Sequence, residues 1–218
     1  MPRQIRVQPA ARERGLAPPR GSAVQVEKLR ARLHAGIEQA LMPVTDALNR
    51  LGVRPNQVTV AGALVSLIAA VLVLYDRLAL AGIVWFAGSA LDLLDGALAR
   101  RQGKATAGGA FLDSTLDRVS EGAMFVAIAY HFAELGRPID AALAVLALLG
   151  SVLISYTRAR AEALGAQCNV GIVTRAERIV LLGLGLCLDV LAPAVYLLFV
   201  VTAVSTVQRI HHTLQTLR

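Results

Sequence analysis

The chain is poor in charged residues, aromatic residues and cysteine. Only 17% of its 218 residues are Asp, Glu, Lys or Arg, whereas 56% are hydrophobic. Soluble domains carry about a quarter charged residues, so the composition excludes an ordinary soluble protein and indicates a helical membrane protein. The two cysteines, Cys168 and Cys187, form neither a disulfide framework nor a metal-ligand spacing.

The N-terminal part of the chain is basic. Residues 1–24 combine Arg and Pro without an apolar run, which predicts a disordered basic tail rather than a secretory signal. Residues 25–50 repeat apolar side chains at helical spacing among charged ones, which predicts a juxtamembrane amphipathic helix in the membrane interface. Because the basic residues border apolar segments, we expect membrane lipids and not nucleic acid as their partners.

Apolar runs dominate residues 51–218 and predict an all-α membrane protein with six transmembrane helices in one domain. The predicted spans are Val58–Tyr75, Leu78–Ala99, Gly109–Phe132, Ile139–Tyr156, Ala176–Ala192 and Ala194–Val207. Basic residues concentrate in alternate links, whereas the other links contain only Arg77 and Arg137. Since positive residues collect on the cytoplasmic side, both termini are predicted to be cytoplasmic in a multi-pass protein of the cell membrane.

Four carboxylates interrupt two of these spans. Asp92 and Asp95 are three residues apart, and Asp113 and Asp117 are four apart, so each pair shares one helix face. An antiparallel hairpin of spans two and three would bring all four together near the cytoplasmic side. Carboxylate oxygens without His or Cys suit Mg²⁺ or Mn²⁺, and four of them are enough for two ions per site.

Two alternatives to a metal site stay open for these acids. Salt bridges to arginines such as Arg100 or Arg118 would also hold them in an apolar span. A cation- or proton-coupled transporter would use them as an ion path, although the other four spans lack acids in their middles. Glu121 continues the Asp113–Asp117 face by one turn, and we expect it to pair with Arg118 or with another arginine of the cytoplasmic side rather than to bind a metal.

The spacing of the acids and their neighbours resembles the signature of the CDP-alcohol phosphatidyltransferases. Every defined position of that signature is matched by Asp92-x2-Asp95-Gly96-x2-Ala99-Arg100-x8-Gly109-x3-Asp113-x3-Asp117. The resemblance extends over the six-span pattern from about residue 51 to the C-terminus. It implies that a hydroxyl attacks the β-phosphorus of a CDP-linked lipid such as CDP-diacylglycerol, with release of CMP.

The resemblance also implies roles for particular residues. Asp92, Asp95, Asp113 and Asp117 would be the metal ligands, and Asp117 would also be the general base for the acceptor hydroxyl. It further implies a homodimer and a binding site for the CDP-lipid. The residues of that site would be Asn56, Gly96, Ala99, Arg100 and Gly109. For Gly109, simple helix packing accounts for a glycine equally well.

Four arginines indicate the acceptor. Arg158 and Arg160 end the fourth span, and Arg175 and Arg178 begin the fifth. A cluster of such forked donors suits a phosphorylated, water-soluble alcohol. The sequence here resembles the phosphatidylinositol phosphate synthase branch of the family and its archaeal ether-lipid counterparts, which implies inositol phosphate as the acceptor.

Alternatives to this acceptor site stay open. Thr174 departs from the branch, which often has an acidic residue at this position. Glycerol 3-phosphate, the acceptor of phosphatidylglycerophosphate synthases, also carries a phosphate, so the arginines alone do not separate the two alcohols. The arginines could also serve without any acceptor, by anchoring to lipid headgroups and forming ion pairs with Glu162 and Glu177.

Overall fold

The computed structural model describes residue 36, residues 40–168 and residues 170–217. The predicted tail at residues 1–24, and most of the predicted amphipathic helix at residues 25–50, lie outside the described residues. Residues 40–50 are helical. Two contacts connect the segment after residue 41 to residues 101 and 102. Arg101 forms an ion pair with Asp46 (2.6 Å), and Gln102 Nε2 donates a hydrogen bond to Val53 O (2.9 Å).

Six helices follow, and the described residues contain no β-strand. They are α1 (Pro55–Leu74), α2 (Leu78–Arg101), α3 (Ala107–Glu134), α4 (Pro138–Ala163), α5 (Arg175–Cys187) and α6 (Leu191–Thr216). Proline stands at the start of α1 and of α4, where its missing N–H costs no hydrogen bond. Gly103, at φ +61°, ends α2 in the left-handed region and lets the chain reverse into α3.

The helices form a closed ring of neighbours. The main packing contacts join α1 to α2, α2 to α5, α5 to α6, α6 to α4, α4 to α3 and α3 back to α1. Small residues allow the closest approach, since a Cβ on Gly88 of α2 would overlap Ser66 Oγ and lie 3.0 Å from the Gly62 carbonyl oxygen of α1. Trp85 Nε1 donates to Ile179 O (3.2 Å) and so ties α2 to α5.

Apolar side chains occupy the inside of this ring and also cover its outside. The interior is filled by large residues that are almost fully buried, including Phe125, Phe132, Met124, Leu186 and Leu198. Exposed Leu, Ile and Val side chains occur along all six helices. Water would not favour so much exposed apolar surface, whereas lipid chains would cover it.

The structure supports membrane spanning for four of the six predicted spans. By length and composition α1, α2, α4 and α6 could each cross a membrane. Helix α3 has 28 residues but contains Asp113, Asp117, Arg118 and Glu121, and α5 has only 13 residues. The predicted count of six is therefore not confirmed. Helices α4 and α6 also extend beyond their predicted ends at Tyr156 and Val207, because the helical backbone continues past the apolar run.

The close approach of α1 and α2 predicts a steric effect at Gly88. We expect Gly88→Ala to destabilise the protein by about 1–3 kcal/mol, because an added Cβ forces the helices apart. Gly122→Ala is the matched control, since a Cβ there meets no atom within 4 Å. Thermal unfolding in detergent should show a lower Tm for Gly88→Ala only. Equal melting temperatures for the two variants would contradict this packing.

Candidate active site

Three carboxylates meet at the turn of the α2–α3 hairpin, whose two helices pack mainly on α1 and not on each other. Asp92 and Asp95 lie on the last turns of α2, and Asp113 lies on the second turn of α3. One oxygen from each can be chosen so that all three lie within 4.8 Å of one another. The hairpin predicted from the sequence thus brings three of the four predicted metal ligands together.

This cluster fits a hard divalent cation. All its donors are carboxylate oxygens, which Mg²⁺ and Mn²⁺ prefer. Asp95 is 6% exposed, and its Oδ2 atom is buried without a hydrogen-bond partner among the described residues. A buried carboxylate oxygen with no donor is costly, and a cation between these side chains would satisfy it.

Asp117 lies one turn beyond Asp113 and has different partners. Its Oδ1 atom is 2.5 Å from Arg175 Nη2, and its Oδ2 atom is 3.4 Å from Arg118 Nη1. Arg175, the first residue of α5, also forms an ion pair with Asp92. One guanidinium therefore connects the cluster to Asp117, which is itself buried.

A cavity of about 200 Å³ opens beside the carboxylates, between the start of α1, the end of α2 and the start of α3. All five residues predicted to bind the CDP-lipid line it, together with Asp95 and Asp113: they are Asn56, Gly96, Ala99, Arg100 and Gly109. Six further lining residues were not predicted from the sequence, and three of them have polar or charged side chains: Thr59, Lys104 and Thr106. Lys104 and Thr106 lie among the eight undefined positions between Arg100 and Gly109 of the signature, and Thr59 is one turn after Asn56.

Two glycines shape this cavity. A Cβ on Gly109 would lie 3.2 Å from both Asn56 Oδ1 and Thr106 Oγ1, so glycine lets α1 approach the start of α3. A Cβ on Gly96 would lie 3.4 Å from Arg100 Nη1, so glycine leaves room for that guanidinium. Thr106 caps α3 by accepting a hydrogen bond from Gly109 N (3.0 Å).

The four arginines predicted to hold the acceptor differ in exposure and in their partners. Arg158 and Arg160 are exposed near the end of α4, and residues two apart lie on different helix faces. Arg158 forms an ion pair with Glu162 (2.8 Å), which was one of the alternatives left open by the sequence. Of the four, Arg175 is the one that contacts the predicted catalytic carboxylates within the described part of the chain.

Arg178 is buried in an ion pair. It is 3% exposed, and its Nε and Nη2 atoms donate to Glu121 Oε1 (2.9 Å) and Oε2 (3.2 Å). Ser151 Oγ of α4 also donates to Glu121 Oε1 (2.8 Å). The expected pairing of Glu121 with an arginine is confirmed, and it joins α3, α4 and α5. A role of Arg178 in holding the acceptor stays a prediction.

Residues 53–211 match the sequence model of the CDP-alcohol phosphatidyltransferase family. The chain belongs to this family. It is 35% identical over 182 residues to archaetidylinositol phosphate synthase from Pyrococcus horikoshii, and the alignment covers 83% of this chain and 94% of the relative. It is 37% identical over 193 residues to phosphatidylinositol phosphate synthase from Mycobacterium tuberculosis, and this alignment covers 81% of this chain and 87% of the relative.

Solved structures of the Mycobacterium tuberculosis phosphatidylinositol phosphate synthase share the fold of the phosphatidyltransferase. One, with CDP-diacylglycerol bound, superimposes with a TM-score of 0.74 at 32% identity and covers 78% of this chain and 92% of that one. Another, in complex with manganese and citrate, gives a TM-score of 0.74 at 33% identity over 79% and 88% of the two chains. A relative with this fold therefore forms a complex with manganese.

The buried pair of Glu121 and Arg178 predicts a large effect on stability. Glu121→Leu leaves the guanidinium buried without its counter-ion, and we expect a loss of about 3–5 kcal/mol. The double variant Glu121→Leu/Arg178→Met removes both charges and should recover most of that loss. Glu162→Gln, which breaks the exposed pair with Arg158, is the control and should cost less than about 1 kcal/mol. Equal Tm values for Glu121→Leu and Glu162→Gln would contradict the prediction.

Proposed function

We propose that the enzyme transfers the phosphatidyl group of CDP-diacylglycerol to a hydroxyl of inositol phosphate and releases CMP. The observation that carries the proposal is the arrangement of the site. A cavity lined by the signature residues, a carboxylate cluster and Arg175 adjoin one another at the same end of the bundle. The names of the relatives that match most of the chain support the same reaction.

The cavity is the proposed site of the CDP-lipid headgroup. Arg100 and Lys104 line it and supply positive charge for the diphosphate. Gly96, Ala99 and Gly109 leave space in the cavity because their side chains are small or absent, and Asn56 supplies an amide group at the start of α1. The acyl chains would lie in the membrane beside the exposed apolar faces of the helices.

Asp92, Asp95 and Asp113 are the proposed holders of a divalent cation, Mg²⁺ or Mn²⁺. When bound, the cation supplies charge stabilisation for the diphosphate and for the departing CMP. Two ions per site, with Asp117 as the fourth carboxylate, stay a prediction that titration with Mn²⁺ tests through the number of ions bound per chain.

Asp117 is the proposed proton acceptor. The hydroxyl oxygen of the acceptor forms a bond to the β-phosphorus while the bond from that phosphorus to the CMP oxygen breaks. The hydroxyl proton passes to the Asp117 carboxylate, and CMP leaves with the bonding electrons. Arg175 and Arg118 hold the two oxygens of this carboxylate, so its orientation is fixed before the acceptor arrives.

Arg175 is the proposed main ligand of the acceptor phosphate. Its side chain is 33% exposed, and it stands at the start of α5, where the helix dipole also favours an anion. Its contact with Asp117 supports a position of that anion next to the proposed base. Arg158, Arg160 and Arg178 stay predictions for this role.

All six helices are proposed to lie in the membrane, with both termini and the active site facing the cytoplasm. The end that carries the cavity also carries Arg50, Arg54, Arg100, Arg101 and Lys104, which agrees with the positive-inside rule. Helix α3 carries charged residues, and their pairing with buried opposite charges lets this helix lie at membrane depth. A homodimer is part of the same proposal.

The experiment that tests the reaction offers purified enzyme CDP-diacylglycerol and Mg²⁺ with a panel of alcohols. We expect CMP release and a new lipid with inositol phosphate, and poor turnover with free inositol, because Arg175 then lacks an anion. Preference for glycerol 3-phosphate would indicate that the enzyme is a phosphatidylglycerophosphate synthase instead. The absence of CMP release with every alcohol would contradict phosphatidyl transfer.

Removal of the Arg175 charge should affect the acceptor. We expect Arg175→Gln to raise the KM for inositol phosphate by on the order of tenfold, since charge-assisted hydrogen bonds are worth about 1.5–3 kcal/mol. The KM for CDP-diacylglycerol should change little. Arg77→Gln, at the opposite end of α2, is the charge-matched control and should leave both values unchanged. Equal increases for both substrates in Arg175→Gln would contradict this assignment.

Loss of basicity at Asp117 should affect turnover. Asp117→Asn keeps the shape of the side chain but does not take a proton, so kcat should fall by about 10²–10⁴-fold. The dissociation constant for CDP-diacylglycerol, measured without acceptor, should change much less. A kcat close to that of the wild type would show that another group takes the proton.

A further inference from the structure

A second and much smaller cavity adjoins the carboxylates on their inner side. It has a volume of about 10 Å³ and is lined by residues of α1, α2, α3 and the start of α5. Asp92, Asp117 and Arg175 line it, which connects it to the proposed active site. Thr59 lines both this cavity and that of the CDP-lipid, so it lies between the two. We call the smaller one the inner cavity.

The inner cavity extends from the carboxylates towards the middle of the bundle and is polar there. Helices α1 and α3 begin, and α2 ends, at the end of the bundle that carries the active site. Ser89 precedes Asp92 by three residues, and Ser120 follows Asp117 by three, so both serines lie about one turn deeper. Ser66 of α1 is a third lining hydroxyl. Polar cavities inside proteins hold water, whereas apolar ones stay dry.

Ser120 differs from the other serines near it in its hydrogen bonding. It is 4% exposed, and its Oγ atom is buried with no hydrogen-bond partner in the part of the chain that the structure describes. Serine in a helix commonly donates to a carbonyl of the preceding turn. Ser89 Oγ does so to Trp85 O (2.9 Å), as does Ser114 Oγ to Phe111 O (3.0 Å). The Ser120 hydroxyl is therefore available to a ligand in the inner cavity.

The size and chemistry of the inner cavity fit one water molecule. A buried water needs a cavity of roughly 10–15 Å³ and two to four polar partners. Water can accept a hydrogen bond from Ser120 Oγ and donate one to the Asp117 carboxylate. The two oxygens of that carboxylate contact Arg175 and Arg118, and each oxygen has a second lone pair for a further donor.

We propose that the inner cavity holds one ordered water molecule, bonded to Ser120 Oγ and to the Asp117 carboxylate, and that Ser120 is a positioning residue for this carboxylate. The water holds Asp117 from its inner side, and the two arginines hold it from α5 and from the next position of α3. The inference rests on the proposed function, in which Asp117 takes the proton of the acceptor. Ser120 does not line the cavity of the CDP-lipid, so its replacement should not affect the binding of that substrate.

The first test is a crystal structure of the full chain at a resolution that orders internal waters. We expect one peak in the inner cavity, about 2.5–3.0 Å from Ser120 Oγ and from one oxygen of Asp117. The peak should be lost in Ser120→Ala. No peak in the wild type, or a peak that is unchanged in Ser120→Ala, would overturn the proposal. A peak with oxygen contacts of about 2.1 Å would identify Mg²⁺ and also overturn it.

The second test measures steady-state constants and Tm. Ser120→Ala should lower kcat by roughly threefold to tenfold, the value of one hydrogen bond, and should leave the KM of both substrates unchanged. Its Tm should not fall, because the hydroxyl that it removes has no protein partner among the described residues. Ser114→Ala is the matched control, since this serine is on the same helix, is exposed and lines neither cavity. An equal loss of kcat in both variants, or a lower Tm for Ser120→Ala, would contradict the positioning role.

A double-mutant cycle with Asp117→Asn completes the second test. If Ser120 acts through Asp117, Ser120→Ala should change the kcat of Asp117→Asn by less than about twofold, whereas full additivity overturns the proposal. The assay uses whichever phosphorylated alcohol the wild type turns over, and the crystal structure needs no substrate. Failure of inositol phosphate as the acceptor is therefore distinct from failure of this water site.

Discussion

Carboxylates inside an apolar helix bundle need positive charge beside them, because burial of an unpaired ion is very costly. The structure meets this need in two layers between α3 and α5. Arg178 pairs with Glu121, and one turn nearer the start of α5, Arg175 pairs with Asp117 and reaches Asp92. Asp95 and Asp113 complete the acidic cluster at the hairpin. The cation that the cluster fits would supply the remaining positive charge.

This requirement accounts for the form of α5. The helix has only 13 residues, and its first turn carries two arginines that point into the bundle towards α2 and α3. A longer apolar helix at this position would cover the same core with Leu182 and Leu186 but would leave Glu121 without its arginine and Asp117 with Arg118 alone. Contacts of α6 with residues 170–173 hold the chain just before this helix.

The sequence was sufficient to predict that Asp92, Asp95 and Asp113 meet, and it named five of the residues that line the cavity beside them. Helical spacing put Asp92 and Asp95 on one face of α2, and the resemblance to the family named Asn56, Gly96 and Gly109, which line one cavity in the structure. These residues are near one another in the chain or follow a fixed pattern. Helical periodicity, however, does not show where a helix stops, so α4 and α6 are longer than predicted.

Long-range partners of charged residues could not be assigned from the sequence. Arg175, Arg178 and Arg209 have the same residue type and the same tendency to lie at the cytoplasmic side. One contacts Asp92 and Asp117, one is buried on Glu121, and one holds backbone carbonyl groups. What separates them is how α5 and α6 pack against α3 and α4, which depends on contacts far apart in sequence.

The central claim is that the hairpin of α2 and α3 builds a divalent cation site from Asp92, Asp95 and Asp113. Anomalous diffraction from crystals of the enzyme grown with Mn²⁺ tests it most directly. We predict that the strongest anomalous peak lies between these three carboxylates and is lost in Asp95→Asn. No peak there at saturating Mn²⁺, or a peak that persists unchanged in Asp95→Asn, would contradict the claim.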